Sequence, residues 1–324
     1  MANTAFSPTN SVTVTSAANF IPEIWSDEIV ASYKKNLVLA NLVKKMSFKG
    51  KKGDTVNIPS PARGNASAKA ATDAVTLIAE SDTQIQVLIN KHFEYSRLIE
   101  DIVEVQSLTS LRSFYTEDAG YALARRLDTD LVQLGRAFNG ATIGTDDYAT
   151  SASSTKAFVG SDGTTAYNSS SSNAAALTDA AIRRTIQRLD DNDVPMDGRF
   201  FLIPPSSRNT LMGLARYTEQ AFIGNGDAIR NGEIGQLYGM AVFASSNADT
   251  GAGNTATDRI CLMGHKDSMV LVEQIGIRSQ TQYKQEYLGT LFTADTLYGV
   301  KALRTAASPS AANASGAYAL AVPA

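Results

Sequence analysis

The spacing of apolar positions changes several times along this chain, and each change marks an element. Val56 and Ile58 alternate with Thr55, Asn57 and Pro59, and later Ile85, Val87 and Ile89 alternate with Gln84, Gln86 and Leu88. A period of two over these lengths predicts a half-buried antiparallel pair. The stretch between them, Ser60 to Asp82, is several times longer than a hairpin loop. It reads as polar and small, with nothing apolar at its tip to bury. A two-stranded ribbon is marginal in water by itself, so the pattern predicts that this one lies on another chain.

The period then shifts to that of a helix. From Leu108 to Phe138 there is no proline, and Leu111, Phe114, Tyr115, Ala119, Ala122, Leu123, Leu127, Leu131, Leu134 and Phe138 form one stripe. About thirty residues make a rod of about 45 Å, stopped by Asn139-Gly140. Arg125, Arg126, Asp128 and Asp130 read as a solvated or interface face of this helix. Upstream, Pro22 opens a second amphipathic helix carrying Ile24, Trp25, Ile29, Val30 and Tyr33, and a short apolar segment follows at Leu37 to Val43.

Beyond Leu177 helices and strands alternate. Thr178 caps a helix with Ala181, Ile182, Ile186 and Leu189 on its apolar face. "RFFLIPP" (Arg199 to Pro205) is a buried strand ended by prolines, and Ser206 to Tyr217 a helix. Strands follow at Met240 to Ala244 and Arg259 to Met263, joined through Gly232, Gly235 and Gly239. This order predicts an α/β unit. Further strands are read at Met269 to Glu273, Ile275 to Gln282 and Gly289 to Thr305. Three stretches lack any period: the Ser/Thr/Asn/Ala-rich first twenty residues, the Ser-rich Thr145 to Ala174, and the small-residue end from Ser308. They read as an arm, a flexible insertion and a tail.

Composition narrows the function. The 324 residues carry a net charge of −3, without the basic surplus of a general nucleic-acid binder. Cys261 is the single cysteine; it excludes an internal disulfide, and its setting in "RICLMG" places it in a core. Residues 1–20 lack the basic start and apolar block of a signal peptide. No apolar run is long enough to cross a bilayer. A protein made in a cytoplasm is expected.

Catalytic and metal chemistry find no residues to carry them. His92 and His265 stand far apart with no third group beside either, so both read as structural or exposed. "DDNDVPMDG" (Asp190 to Gly198) lacks the paired spacing and closing glutamate of a calcium loop and reads as a solvated helix end with a turn. Glu100 and Glu104 fit one helix face, where a charged helix start is the simpler reading. "GNG" (Gly224 to Gly226) and "GAG" (Gly251 to Gly253) complete no phosphate fingerprint. The expectation is no enzyme, no cofactor and no metal. A hydrolase with an unrecognised site is the alternative from another class, and a tail or adhesin component fits the long helix poorly.

The order of segments, with the phrases "NFIPEIWSDEI", "KGDTVNIP", "GEIGQLYGMAVFASSN", "LFTADTLYGVKALR" and, within it, "LYGVKALR", resembles the major capsid protein of tailed double-stranded DNA bacteriophages. The resemblance covers nearly the whole chain and implies an α+β Hong Kong 97-type fold. Its parts would be an N-terminal arm and short helix (1–48), an extended loop (49–98) and a peripheral domain with a long spine helix (99–144 and 267–308). A Ser-rich insertion (145–176), an axial domain (177–266) and a C-terminal tail (309–324) complete it. It implies copies of itself, as pentamers and hexamers, in an icosahedral shell around packaged double-stranded DNA that is bound without sequence specificity. Portal and decoration proteins are the other implied partners, with no membrane; assembly in the host cytoplasm and location in the virion capsid follow. The short lead to the first helix favours a separate scaffolding protein. An encapsulin-like compartment around protein cargo shares the fold and is the nearest alternative. Lys51, Lys52, Arg63 and Lys69 leave the extended loop basic, and the expected acidic partners on a neighbouring copy are Glu117 and Asp118 of the spine helix. Some relatives cross-link a loop lysine to an asparagine; no such bond is predicted here.

Overall fold

A computed structural model of the chain describes residues 38–50, 52–60, 66–69, 71, 74–75, 77, 83–106, 111–136, 157–167, 173–214, 236–248, 258–303 and 316–324. The helix read at 22–33, the stop at Asn139-Gly140, Gly232, Gly235, and the "GNG" and "GAG" segments lie outside these residues, as do Lys51 and Arg63.

In chain order the elements are α1 (Leu39–Leu42), β1 (Lys44–Ser47), β2 (Thr55–Ser60), β3 (Thr83–Leu88), β4 (Lys91–Glu100), α2 (Asp101–Gln106) and α3 (Leu111–Arg136). Then come β5 (Phe158–Val159), α4 (Asp179–Asp191), β6 (Arg199–Ile203), α5 (Pro205–Met212), β7 (Gln236–Leu237) and β8 (Met240–Ala244). The last are β9 (Arg259–His265), β10 (Met269–Lys284), β11 (Gly289–Ala302) and β12 (Ala317–Val322). They build a four-stranded sheet ordered β1-β10-β11-β4, a six-stranded sheet ordered β5-β12-β9-β6-β8-β7, and the β2-β3 ribbon.

Local chemistry accounts for most of these elements. The Thr178 side chain accepts from the Ala181 amide at 3.3 Å and caps α4, which buries Ala181, Ile182, Thr185 and Leu189. Pro205 sits in the first turn of α5, where no amide is needed, and the helix ends at Gly213, short of the predicted Tyr217. Between β7 and β8, Tyr238 and Gly239 both have positive φ, 49° and 79°. That is the backbone a two-residue hairpin turn requires.

One long helix joins the two sheets. The C-terminal half of α3 buries Leu127, Leu131 and Leu134 in a core shared with Phe200, Leu202 and Leu262 of the six-stranded sheet and Leu271, Tyr298 and Val300 of the four-stranded one. Gly135 allows the close approach: a Cβ there would lie 2.6 Å from the Leu262 side chain. A second core under α4 and α5 holds Ile182, Leu189, Phe201, Leu211, Cys261 and Leu320.

Four readings are corrected by this architecture. The tail is not a polar appendage. Its Ala317–Val322 segment is a fully buried strand between β5 and β9 in the six-stranded sheet. Small side chains let it fit a crowded interior, and composition alone cannot separate that from disorder. The Ser-rich insertion likewise supplies β5, and Tyr167 is buried with its hydroxyl donating to Asp258 at 2.8 Å. The stretch read as extended loop to Leu98 already enters the four-stranded sheet at Lys91, paired with Tyr298. The strands read at Met269 and Ile275 are one strand, β10, with register shifts around Ile275; the irregularity mimics a strand break in the sequence.

Candidate assembly surfaces

The ribbon is anchored firmly at its root. β2 and β3 pair from Thr55↔Leu88 to Ser60↔Thr83. Val87 and Ile89 are buried against Val270 and Val272 of β10, with Val56 and Ile58 packed beside them. The Ile89 amide donates to the Asp54 carbonyl at 2.7 Å, and the Gln274 side chain donates to the Gly53 carbonyl at 3.0 Å. Gly299 of β11 lies directly beneath: a Cβ there would stand 2.2 Å from the Leu88 carbonyl oxygen.

The far end of the ribbon overturns the reading of an all-polar tip. Val75 and Leu77 are 69% and 89% exposed. The signal was present in "AVTLIAE", hidden within a longer polar and small-residue stretch. Single exposed apolar residues are ordinary; what marks Val75 and Leu77 as a candidate contact is that they share one short segment.

The predicted charged contacts are placed as follows. Lys52 and Lys69 are exposed on the loop, and Glu117 is exposed on α3. Asp118 is half-buried and accepts from the Tyr95 hydroxyl of β4 at 2.8 Å, so it already serves its own subunit. Burial, aided by Asp118, raises the Tyr95 phenol above its ordinary pKa, against the hydrogen bond from Arg97.

The polar face of α3 divides: Arg125 and Arg126 are exposed, as a solvated or interface face requires, and the two aspartates are not. Asp128 and Asp130 are 1% and 0% exposed. Asp130 accepts from the Tyr298 hydroxyl at 2.7 Å and lies 3.2 Å from the Arg126 guanidinium and 3.9 Å from the Lys91 ammonium. Asp128 accepts from the Ala40 amide at 3.2 Å and from the Asn247 side chain at 2.9 Å. Its carboxyl is pushed up by burial, with the Asn247 hydrogen bond and those from the amides of Ala40, Leu39 and Val38 opposing. The partners come from α1, β4, β11 and the loop after β8. Helical periodicity contains no information about them.

The titratable groups singled out from sequence hold structural places. His92 lies 3.2 Å from Asp295, which Arg278 also grips with two bonds of 2.7 and 2.9 Å across the strands. His265 accepts the Asp267 amide at 3.1 Å and is 2.8 Å from the Asp197 carbonyl. Glu100 ends β4, paired with Gly289, so it does not share a helix with Glu104. In "DDNDVPMDG", Asp190 pairs with Arg199 at 2.7 Å, and Asp193 takes a positive φ in the turn. Among the described residues no group of three or more His, Cys, Asp or Glu is placed to hold a metal ion. No helix among them is long and apolar enough to cross a membrane.

Cys261 is wholly buried beside Ser207, and burial pushes its thiol up to about 12. Thiolate is the reactive form. Native protein is therefore expected to resist a thiol reagent at pH 8 for as long as it stays folded, and denaturant should release one thiol per chain. Rapid labelling of native protein would contradict the buried placement.

A ribbon rooted in one sheet, a spine helix shared by two sheets and apolar residues exposed between the ribbon strands describe a subunit shaped for contact with others. The sequence model of the family described as phage capsid protein matches residues 28–299. The chain belongs to the phage capsid protein family. No curated protein sequence matches it. Among solved structures, this capsid protein is similar to a chain of Mycobacterium phage Che8, at 24% identity and a TM-score of 0.70 over 93% of this chain and 97% of that one. It is similar to the capsid of the cyanophage P-SCSP1u at 17% identity and a TM-score of 0.71, covering 97% and 96%. A third likeness is to the mature capsid of bacteriophage PhiM1, at 14% identity and 0.67, covering 93% and 92%. The fold is the α+β Hong Kong 97-type capsid fold. The capsid protein is a structural major capsid protein of a bacteriophage, and its place is the icosahedral shell of the virion.

Proposed function

We propose that the capsid protein assembles into pentamers and hexamers in which each copy lays its ribbon on the next, and that the closed shell holds packaged double-stranded DNA. The observation that carries this reading is the exposed Val75 and Leu77 in the segment that joins two ribbon strands rooted against β10. A ribbon of this kind gains its missing partners from a neighbour, and weak contacts repeated around a ring add through avidity. Residues 49–90 act as the extended loop, and β4 from Lys91 belongs to the four-stranded sheet. Residues 99–144 and 267–308 act as the peripheral domain, and 177–266 as the axial domain, to which β5 and β12 add. The net charge of −3 suits a wall along which a polyanion slides without being gripped. A separate scaffolding protein, a portal and decoration proteins complete the particle, which forms in the host cytoplasm. The protein performs no catalysis in this reading.

Lys51, Lys52, Arg63 and Lys69 steer the ribbon towards acidic positions of the neighbour, the exposed Glu117 among them; Asp118, held by Tyr95, is the weaker candidate of the expected pair. Negative-stain microscopy of the expressed protein, with a nucleic-acid assay of the particles, tests the reading as a whole. Closed shells are expected, and a monodisperse monomer at high concentration would refute it. Reversing Lys51 and Lys52 to glutamate should reduce shell yield and make what remains less sensitive to salt. Normal shells from that variant would remove the electrostatic part alone.

A further inference from the structure

One end of the four-stranded sheet is apolar at its surface. There β10 turns into β11 through Gln285–Tyr287, and β4 runs directly into α2. The Asp101 amide donates to the Leu288 carbonyl at 3.0 Å, and the Tyr283 hydroxyl donates to Asp101 at 2.9 Å, so the two connections form one surface. On it Ile102, Tyr287 and Leu288 are 67%, 62% and 67% exposed, with Leu98 and Val103 exposed beside them. Scattered single residues would need no explanation, but these come from three elements and gather at one place. Leu288 also holds φ at 45°, a left-handed backbone that glycine or asparagine adopts more readily. A turn alone has no use for a leucine there; a contact does. Glu100, Asp101 and Glu286 are exposed around the patch, with the half-buried Lys284 among them.

The opposite end of the same sheet is basic. Residues 44–52, which form β1 and lead into the ribbon, hold five lysines and no acidic residue. Lys44, Lys45, Lys49 and Lys52 are exposed. We propose that the acidic, apolar end of one copy docks on this lysine-bearing edge of a second copy. Charge chooses the occupant. A second acidic end would be repelled, and the other exposed apolar pair, Val75 and Leu77, stands between Asp73 and Glu80. Lysine carries its cation on an apolar four-carbon stem, so a row of lysines covers leucine and isoleucine while pairing with carboxylates. The two ends meet only between copies. A Cβ at Gly276 would stand 3.1 Å from the Lys49 ammonium, and Lys284 lies eight residues further along β10, about 26 Å away. A contact between unlike ends is heterologous, the kind that closes into rings. The inference rests on the assembly reading and adds to the ribbon a contact from sheet to sheet.

A carbodiimide joins a lysine amine to a carboxylate only where the two touch, and peptide mass spectrometry locates the amide. In assembled shells of the unaltered protein, links are expected between lysines of residues 44–52 and Glu100, Asp101 or Glu286. Glu100→Lys/Glu286→Lys should lower shell yield several-fold, and adding Lys44→Glu/Lys49→Glu should restore it. Ile102→Ser/Leu288→Ser should lower the yield likewise without any change of charge. All six side chains are exposed, and thermal melts of the subunits check that the fold is kept. Closed shells whose acidic end links to other lysines, or to none, would overturn the proposal and leave the assembly reading standing. So would full shell yield from Glu100→Lys/Glu286→Lys. A chain that stays monomeric at high concentration would overturn both.

Discussion

Asp128→Ala is expected to cost about 3 kcal/mol of folding stability, the scale for leaving buried hydrogen-bond donors without an acceptor. The carboxylate is 1% exposed and bonds the amides at the start of α1 on one side and Asn247 on the other. Truncation leaves several buried donors without acceptors, each costing about 1–3 kcal/mol. It also separates α1 from the spine helix and from the loop after β8. Chemical denaturation of dissociated subunits measures the loss, and a change below about 1 kcal/mol would refute the role. Asp128→Asn places an amide against the Asn247 amide; adding Asn247→Asp should recover much of the stability by exchanging donor and acceptor. The pH dependence has a definite sign. A carboxyl whose folded-state pKa is raised favours the native state at low pH, and that contribution is lost as pH rises through the folded value. Asp128 is therefore not a source of acid unfolding. Asp295 is the opposite case. Its pKa is lowered, chiefly by the Arg278 hydrogen bond and with help from His92. Its stabilisation is present above the ordinary carboxylate pKa and is lost as pH falls through the depressed value.

Gly299→Ala should be damaging out of proportion to one methyl group, by about 3 kcal/mol, the upper part of the range for overpacking. The added Cβ would stand 2.2 Å from the Leu88 carbonyl oxygen and 3.0 Å from its carbonyl carbon. Both are backbone atoms, which cannot turn aside as a side-chain end could. They belong to the crossing where the ribbon leaves β3 and bends into β4, over the point at which β11 pairs with Val272 of β10. The strain falls on the ribbon's root, so shell yield should drop even at temperatures where subunits remain folded. Gly120→Ala is the matched control. That glycine lies inside α3, and nothing stands within 4 Å of its added Cβ. It should stabilise by about 0.5–1 kcal/mol, the difference in helix propensity. Equal effects from the two alanines would refute the close approach at Gly299.

The resemblance was legible through phrases whose physical reasons only the fold supplies. "LYGVKALR" contains Gly299, which permits a strand crossing. "LYGM" contains Tyr238 and Gly239, which make a turn. The candidate surface was half legible. The ribbon followed from alternation, while its apolar tip was lost in composition. The acidic pair of the spine helix divides: Glu117 is exposed, whereas Asp118 is held by Tyr95.

By itself the sequence determined the periodic elements: the spine helix, the ribbon strands, the capped α4 and the buried strand of "RFFLI". Each depends on neighbours a few residues away, and side-chain spacing records that directly. Tertiary structure alone decided that a run of small residues, Ala317–Val322, lies buried in a sheet between β5 and β9, and that Asp128 and Asp130 are interior groups. Those outcomes rest on contacts across more than fifty residues of chain, Ala319 with Leu262 and Asp128 with Asn247. A polar or small residue looks the same in sequence whether its partner is water or a distant strand.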